Sequence, residues 1–248
     1  MNYLFELKSV SAGYDRGMVL ENVDLIVREK DFIGVIGPNG GGKTTLLKVI
    51  LGLLAPVSGA VLFNENLTGK SRIGYLPQMS AGDNTFPVTV KDVILSGLMI
   101  RKGVIARMSS DDKAKARRVI DELGLKGLEK APLSELSGGQ LQRVFLGRAI
   151  IGEPAALLLD EPDNFVDATF ENDFYQKLHD LNEKMAILMV SHDVGTISSH
   201  VKSFACVNRK LHYHASPEIT NEQLSSYDCP IQLVTHGRIP HTVLQKHD

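Results

Sequence analysis

A glycine-rich segment between an apolar run and a helix-forming stretch constrains the fold of this chain more than any other feature. Residues 37–45 read Gly-Pro-Asn-Gly-Gly-Gly-Lys-Thr-Thr and fit the pattern G-x-x-x-x-G-K-[ST], directly after the apolar run at 32–36. The run is typical of a buried strand, and the glycines let successive backbone N–H groups face one anion. Residues 45–50 begin a predicted helix whose positive end faces the same point. We therefore predict an α/β fold in which this segment binds phosphate.

Lys43 and Thr44 would give the segment its chemistry. Lys43 is the expected counter-ion of a γ-phosphate, and the Thr44 hydroxyl is an expected ligand of Mg²⁺, a small hard cation that prefers oxygen. The alternative is a glycine-rich turn that binds nothing. The strand predicted before the segment and the helix predicted after it favour the phosphate site.

The composition is that of an ordinary globular protein, with 43% hydrophobic and 23% charged residues among 248. This length predicts one large domain, or a domain with a subdomain. A formal net charge of −2, without a block of basic residues, gives no reason to expect nucleic acid as a partner. The two cysteines have neither C-x-x-C nor zinc-site spacing, so we expect a reducing compartment and no disulfide. The apolar runs are too short to span a bilayer, so a membrane role would need a partner protein.

The first third of the chain has the pattern of a sheet. Loose alternation at 4–10 and 19–27 predicts a hairpin with its turn at 13–17, and residues 60–63 and 72–76 are typical of short strands.

The middle of the chain has the pattern of helices. Apolar residues recur at helical spacing in 88–99 and 110–123, and a third helix is predicted from Ser137 to residue 150. We interpret this block, about 87–151, as a helical insertion.

The last third alternates between strand and helix. Residues 156–160 and 185–190 are typical of buried strands, and an amphipathic helix is predicted between them at 169–183. Strand, helix and strand in this order imply a parallel sheet, and a further helix is predicted from His192 onward. The tail after Ala215 has no clear pattern, and we expect it to be irregular.

Two adjacent acids end the predicted strand at 156–160. Asp160 would hold Mg²⁺ through its water shell, and Glu161 would orient and polarise the water that attacks a phosphate. Open α/β sheets place their ligands at the carboxyl ends of parallel strands, which is where these acids lie. The alternative is an acidic loop that caps the next helix.

The pentapeptide Leu-Ser-Gly-Gly-Gln at 136–140 is a second candidate anion site. Two glycines at a helix N-terminus leave N–H groups exposed, and Ser137 adds a hydroxyl. The alternative is a helix cap with Ser137 as the capping residue. Two phosphate-binding helix starts beside one set of Mg²⁺ ligands suggest that the second closes on nucleotide held by another copy of the chain.

These segments together resemble the ATP-binding cassette (ABC) ATPases. The loop at 37–45, Gln78, the pentapeptide at 136–140, the acids in 156–162, Asp167 and His192 follow the order and approximate spacing of that family over roughly residues 3–215. The resemblance implies a P-loop NTPase core, a mainly parallel sheet flanked by helices, with an antiparallel β subdomain and an inserted helical subdomain. The implied cassette spans 1–215, with its core at 1–86 and 152–215, its helical subdomain at 87–151, and a C-terminal tail at 216–248.

The resemblance also implies a head-to-tail homodimer that holds two ATP molecules, each between the loop of one copy and the 137–140 segment of the other. Tyr14 resembles the aromatic residue that stacks on adenine. The implied nucleotide-binding residues are Tyr14, Gly37, Asn39, Gly40, Gly42, Lys43, Thr44, Thr45, Ser137, Gly138, Gly139, Gln140 and Asp167. The implied ligands of Mg²⁺ are Thr44, Gln78 and Asp160, and the implied catalytic residues are Glu161, His192, Gln78 and Lys43.

The family alone leaves the cellular role open. The 57 residues between Gln78 and Leu136 are too few for the coiled coil of chromosome-maintenance members, and the chain holds one cassette without a fused membrane segment. Residues 83–97 resemble the corresponding segment of cassettes for zinc, manganese or iron uptake. We therefore expect the ATPase subunit of a metal-ion importer, bound at the cytoplasmic face of the cell membrane beneath a separate permease, with an extracytoplasmic binding protein as an indirect partner.

Three alternatives stay open at this point. One alternative is that the chain is the ATPase of a siderophore or cobalamin importer. Another is that it is a soluble ABC ATPase that acts in assembly or regulation without a membrane partner. The histidines of the tail, which are His212, His214, His236 and His241, would be a metal sensor or simply solvated side chains; a metal site needs three or four ligands.

Overall fold

The computed structural model describes residues 3–15, 17–64, 73–78, 87–99, 107–162, 168–217, 231–235 and 240–244. For residues 168–170, 231–235 and 240–244 it describes the backbone. The chain divides into two compact units. Unit 1 comprises Met1–Thr68 and Asn182–Asp248, and unit 2 comprises Gly69–Leu181.

An antiparallel sheet in unit 1 is built from strands β1 (Tyr3–Tyr14), β2 (Gly17–Arg28) and β4 (Ser58–Phe63), in the order β2-β1-β4. The predicted hairpin is confirmed, but its turn is shorter than expected because Tyr14 already pairs with Gly17. Buried and exposed residues alternate along the second half of β2, as in a sheet with one covered face.

The parallel strands of unit 1 are buried on both faces. Strand β3 (Phe32–Ile36) pairs in parallel with β7 (Ala186–Val190) on one side and with β8 (Ser203–Asn208) on the other. Every residue of β3 and β7 is buried, which explains why both sequences are unbroken apolar runs. Strand β9 (Lys210–His214) adds to β8 in antiparallel. Helices α1 (Lys43–Ile50) and α6 (Val194–Ser198) follow β3 and β7 along the chain.

The prediction of an irregular tail is wrong. Strands β10 (Ile231–Thr235) and β11 (Pro240–Leu244) form an antiparallel hairpin in register from Ile231↔Leu244 to Thr235↔Pro240. The pairing of the two segments with each other, which the sequence of neither one specifies, makes them strands.

Unit 2 contains two parallel strands and most of the helices. Strand β5 (Ile73–Leu76) pairs in parallel with β6 (Ala156–Asp160), which is buried throughout. The helices are α2 (Val90–Ser96), α3 (Ser110–Glu122), α4 (Gly138–Ile150) and α5 (Ala168–Asn182), with a short 3₁₀ helix at Leu133–Glu135; the last residue of α5, Asn182, is counted in unit 1. The helices expected near 88–99, 110–123 and 137–150 are confirmed, while the subdomain boundaries stay a prediction.

Side-chain caps set where these helices begin. The hydroxyls of Thr89 and Ser109 accept from the backbone N–H groups of Asp92 and Asp112, so α2 starts two residues later than the apolar pattern suggested. Asp112 also accepts from the Ser109 backbone N–H, which completes a capping box.

Helix α4 lies close to α2 because glycines stand at their contact. A Cβ on Gly97 would come within 2.0 Å of the Arg148 carbonyl oxygen, and one on Gly147 would come within 3.0 Å of the Ile94 side chain. The backbones of α2 and α4 therefore pack closely together, and this contact helps to fix α4, whose first residues include the candidate anion site.

Candidate functional site

The glycine-rich loop of unit 1 has a shape that glycine alone supports. Gly37, Gly40 and Gly42 have φ values of 152°, 77° and 108°, in the region that side chains disfavour. A Cβ on Gly37 would lie 2.0 Å from the Val207 carbonyl oxygen. Gly40 has open space around it, so only its backbone angle requires glycine. The loop is pressed against β8 on one side and presents Asn39 and Gly40 to solvent.

Lys43 brings a cation into this loop. Its side chain is buried, and its Nζ donates to the carbonyl oxygens of Gly37 at 2.9 Å and Pro38 at 3.0 Å. Helix α1 begins at Lys43 with Gly42 as its N-cap, without a side-chain cap on its N–H groups. A buried ammonium group beside an uncapped helix start fits an anionic ligand such as a nucleotide phosphate. Thr44 is half-buried and Thr45 is buried.

His192 and the loop lie at the same edge of the unit 1 sheet. Val35 of β3 pairs in parallel with Val190 of β7, and the Ser191 N–H donates to the Val35 carbonyl at 3.3 Å. The carboxyl ends of the two strands are therefore neighbours, and His192 follows one as the loop follows the other. The side chain of His192 is exposed, and α6 is capped by Asp193, whose carboxylate accepts from the Thr196 N–H at 3.1 Å. His192 is thus not the helix cap.

Tyr14 stands at the end of β1 with 48% of its surface exposed. The Lys48 ammonium lies 6.0 Å from the centre of its ring. An aromatic ring exposed to this extent has a face that a nucleotide base could stack on.

Asp160 ends β6 in unit 2 and is 2% exposed. Tyr75 on the neighbouring strand β5 donates a hydrogen bond to the Asp160 carboxylate. Burial, together with the charge of Asp160 and the hydrogen bond to it, raises the pKa of the Tyr75 hydroxyl to about 12. The tyrosine therefore stays protonated and orients the carboxylate. A buried carboxylate held in this way has the oxygen chemistry that Mg²⁺ prefers.

Glu161 and Gln78, two residues expected to be catalytic, are in contact. The Gln78 Nε2 donates to the Glu161 Oε2 at 2.5 Å, across 83 residues of sequence. Glu161 has φ 50°, which is unusual for a residue with a side chain. Gln78 is therefore bonded to the acid and is not simply a solvated loop residue.

The 137–140 segment is at once a helix cap and an exposed group of N–H donors. The Gln140 N–H donates to the Ser137 Oγ at 3.3 Å, and the Ser137 N–H donates to the Gln140 Oε1 at 3.0 Å. Ser137 and Gly138 are exposed, and the first turn of α4 carries no acidic residue. The two interpretations of this segment are compatible, because the capping box leaves the glycine N–H groups open to an anion.

Asp167 lies outside the described residues. The sequence patterns did not identify Tyr75, which donates to Asp160, or Gln142, whose side chain donates to the Pro162 carbonyl oxygen. Both adjoin segments that those patterns did identify: Tyr75 lies three residues before Gln78, and Gln142 two residues after Gln140. Only their contacts with the 160–162 turn reveal them.

The family model of the ABC transporter matches residues 20–164, more than half of the chain. The chain belongs to this family. It is 37% identical over 223 residues to the zinc uptake system ATP-binding protein ZurA of Listeria innocua, covering 87% of each chain. It is 38% identical over 217 residues to the zinc import ATP-binding protein ZnuC of Pasteurella multocida, covering 87% of this chain and 77% of that one.

A solved structure has a similar fold along almost the whole length. It is described as an inward-facing conformation of a metal-chelate type ABC transporter, with a TM-score of 0.83, 25% identity, and coverage of 99% of this chain and 98% of that one. The ABC family, the P-loop α/β fold class and the ATPase class expected from the sequence are confirmed. Among the described residues, no helix combines the length and apolar character needed to cross a membrane.

Proposed function

We propose that this ABC ATPase powers the import of a transition-metal ion through a separate permease. Its similarity to ATP-binding proteins named for zinc uptake and zinc import supports this substrate class. The observation that carries the hydrolytic role is the Gln78–Glu161 hydrogen bond beside the buried Asp160, because it brings the amide expected to contact Mg²⁺ and the attacking water against the carboxylate expected to activate that water.

The loop of unit 1 would bind and neutralise the phosphates of ATP. The Lys43 ammonium group, which lies inside the loop, would contact the β- and γ-phosphates, and the backbone N–H groups of the loop would donate hydrogen bonds to the same phosphates. Thr45 would contact phosphate, Tyr14 would stack on adenine, and His192 would donate to the γ-phosphate.

The acids of unit 2 would act on the attacking water. Glu161 would orient it and accept its proton, since a carboxylate within hydrogen-bond reach of water acts as a general base. Asp160, Gln78 and Thr44 would hold Mg²⁺. Bound Mg²⁺ would neutralise the negative charge that develops between the β- and γ-phosphates.

Two copies of the chain would be needed for each reaction. The 137–140 segment of one copy would contact the γ-phosphate held by the other copy's loop, with its glycines donating their N–H groups, and Asp167 would contact the opposing loop. The exposure of this helix start and its lack of acidic residues support the arrangement.

Within the proposal, the chain would lie at the cytoplasmic face of the cell membrane, and an extracytoplasmic binding protein would deliver the ion to the permease. Zinc is supported by the names of the relatives, while manganese and iron stay alternatives. Among the described residues no group of three or more His, Cys, Asp or Glu could hold a metal ion, which gives no support to a sensor on this chain.

The experiment is the metal content of cells that lack this chain, measured for zinc, manganese and iron under limitation of each. We expect one metal to fall and the wild-type gene to restore it, whereas Lys43→Ala should not. Lys113→Ala, at an exposed lysine of α3, is the matched control and should restore uptake. A deficit confined to a siderophore or cobalamin would contradict the metal-ion substrate. Failure of a tagged chain to co-purify with any integral membrane protein would favour the assembly or regulatory role.

A further inference from the structure

We propose that Gln142 is a positioning residue for Glu161, acting through the backbone of Pro162. This inference rests on the proposed role of Glu161 as the residue that activates water. Gln142 does not contact the phosphates in this proposal. It sets the course of the chain just after Glu161, and so the direction in which the carboxylate points.

The contact itself is direct and buried. The Gln142 Nε2 donates to the Pro162 carbonyl oxygen, across 20 residues of sequence, and the Gln142 side chain is 1% exposed. The amide orientation is unambiguous, because turning it over would set two oxygen acceptors against each other. The Gln142 Oε1 has no hydrogen-bond partner among the described residues. A position needed only for packing would be better filled by Leu or Met, so the polar side chain is explained by its donor.

The backbone at Glu161 needs such an anchor. Its φ of 50° is disfavoured for a glutamate, and such a conformation persists only where the surroundings impose it. On one side Asp160 is fixed as the last residue of a buried strand. On the other side Pro162 has its φ limited by its ring, and its carbonyl is held by Gln142. Glu161 is thus held at both ends.

The anchor also links Glu161 to the candidate anion site at the start of α4. Gln142 lies in the second turn of the helix that Ser137 caps. The next residue, Arg143, donates to the Asp173 carboxylate at 2.6 Å and to the Leu123 carbonyl at 3.2 Å, which fixes α4 to the neighbouring helices. A displacement of the start of α4 would therefore move Gln142 and, through its hydrogen bond, the Pro162 carbonyl group. In the proposed dimer, closure of one copy's helix start on ATP would bear on the same copy's Glu161.

The test uses the full-length protein and two variants. Gln142→Met keeps the length and removes the donor. Gln142→Asn keeps the amide and is one methylene too short to reach. We expect kcat for ATP hydrolysis, per ATP-binding molecule, to fall about tenfold or more in both, with the KM for ATP changed by less than about twofold. In the Glu161→Gln background, Gln142→Met should leave ATP affinity unchanged, because Gln142 acts on the carboxylate and not on binding.

Gln176→Met is the matched control. Gln176 is exposed on α5 and also donates through its Nε2, to the Asp180 carboxylate at 3.3 Å, so the same substitution there should leave kcat unchanged. Normal kcat in both Gln142 variants, or a loss of activity that tracks the fraction of unfolded protein, would overturn the inference. Absence of ATP hydrolysis in the wild-type dimer would instead overturn the proposed function of Glu161.

Discussion

Glu161 is the residue whose substitution most directly tests the chemistry. Glu161→Gln removes the base but keeps the size of the side chain and a polar group beside Gln78. We expect turnover to fall by about 10²- to 10⁴-fold, since that is the usual contribution of general acid–base catalysis, while ATP is still bound. The checks are steady-state phosphate release and size-exclusion chromatography with ATP, which should show a stable nucleotide-bound dimer.

The control for that measurement is Glu183→Gln, which changes an exposed glutamate within 3.9 Å of Lys30. Wild-type turnover is expected there. Equal turnover in Glu161→Gln and the wild type would remove Glu161 from its proposed role.

His214 gives a pH dependence of stability that can be measured without activity. Burial lowers the pKa of this imidazole, and the charge of His212 lowers it further. The His214 imidazole therefore binds a proton less readily in the folded protein than in the unfolded chain, where its pKa is 6.5. The neutral His214 imidazole therefore does not reduce the free energy of unfolding above about pH 6.5. Below that pH, protonation of His214 favours the unfolded chain, and stability falls.

We accordingly expect His214→Gln to lose less stability than the wild type as the pH falls from about 6.5 to about 5, as measured by urea unfolding. His179→Gln, on α5, is the control for the loss of a histidine. Identical pH slopes for His214→Gln and the wild type would contradict this prediction.

At the scale of elements, the contact between α2 and α4 depends on Gly97. A Cβ there would meet the Arg148 carbonyl oxygen at 2.0 Å and the Ile151 side chain at 2.7 Å, and a helix carbonyl cannot move aside cheaply. We expect Gly97→Ala to lower the free energy of unfolding by about 1 to 3 kcal/mol, the usual cost of overpacking.

Gly152→Ala is the matched control, because no heavy atom lies within 4 Å of a Cβ at that position. It should be neutral, or stabilising by about 0.4 to 1 kcal/mol through the unfolded state. Urea midpoints measured side by side decide the matter, and equal stability of the two alanine variants would show that α2 and α4 are packed more loosely than described.

At the scale of the whole molecule, the proposed shared sites predict complementation between inactive variants. Lys43→Ala should disable the loop, and Gly138→Asp should repel phosphate from the helix start. The aspartate suits the first turn of a helix, so α4 should still fold. A mixed dimer would contain one site with both parts intact. We expect each variant to be inactive alone and their mixture to recover ATP hydrolysis.

Dilution of the wild type provides a second measurement on the same proposal. Activity per chain should fall at low concentration, because each site needs two copies. A rate strictly proportional to enzyme at every dilution, together with no recovery in the mixture, would contradict the shared site.

The features that were predicted correctly from the sequence are those encoded by consecutive residues. A buried strand, a glycine loop and a helix start are encoded by consecutive residues, so the loop around Lys43 could be predicted from spacing alone. The tail was predicted wrongly because the pairing of β10 with β11, and not the pattern of either segment, makes them strands.

The amino-acid sequence by itself determined the glycine-rich loop around Lys43, the acids at the end of β6 and the glycine-rich start of α4, because each is a short pattern of consecutive residues. Only the tertiary structure decided that Tyr75 holds Asp160, that Gln78 reaches Glu161 and that Gln142 holds Pro162. These partners are far apart along the chain, and their pairing depends on how strands and helices pack, which no local pattern specifies.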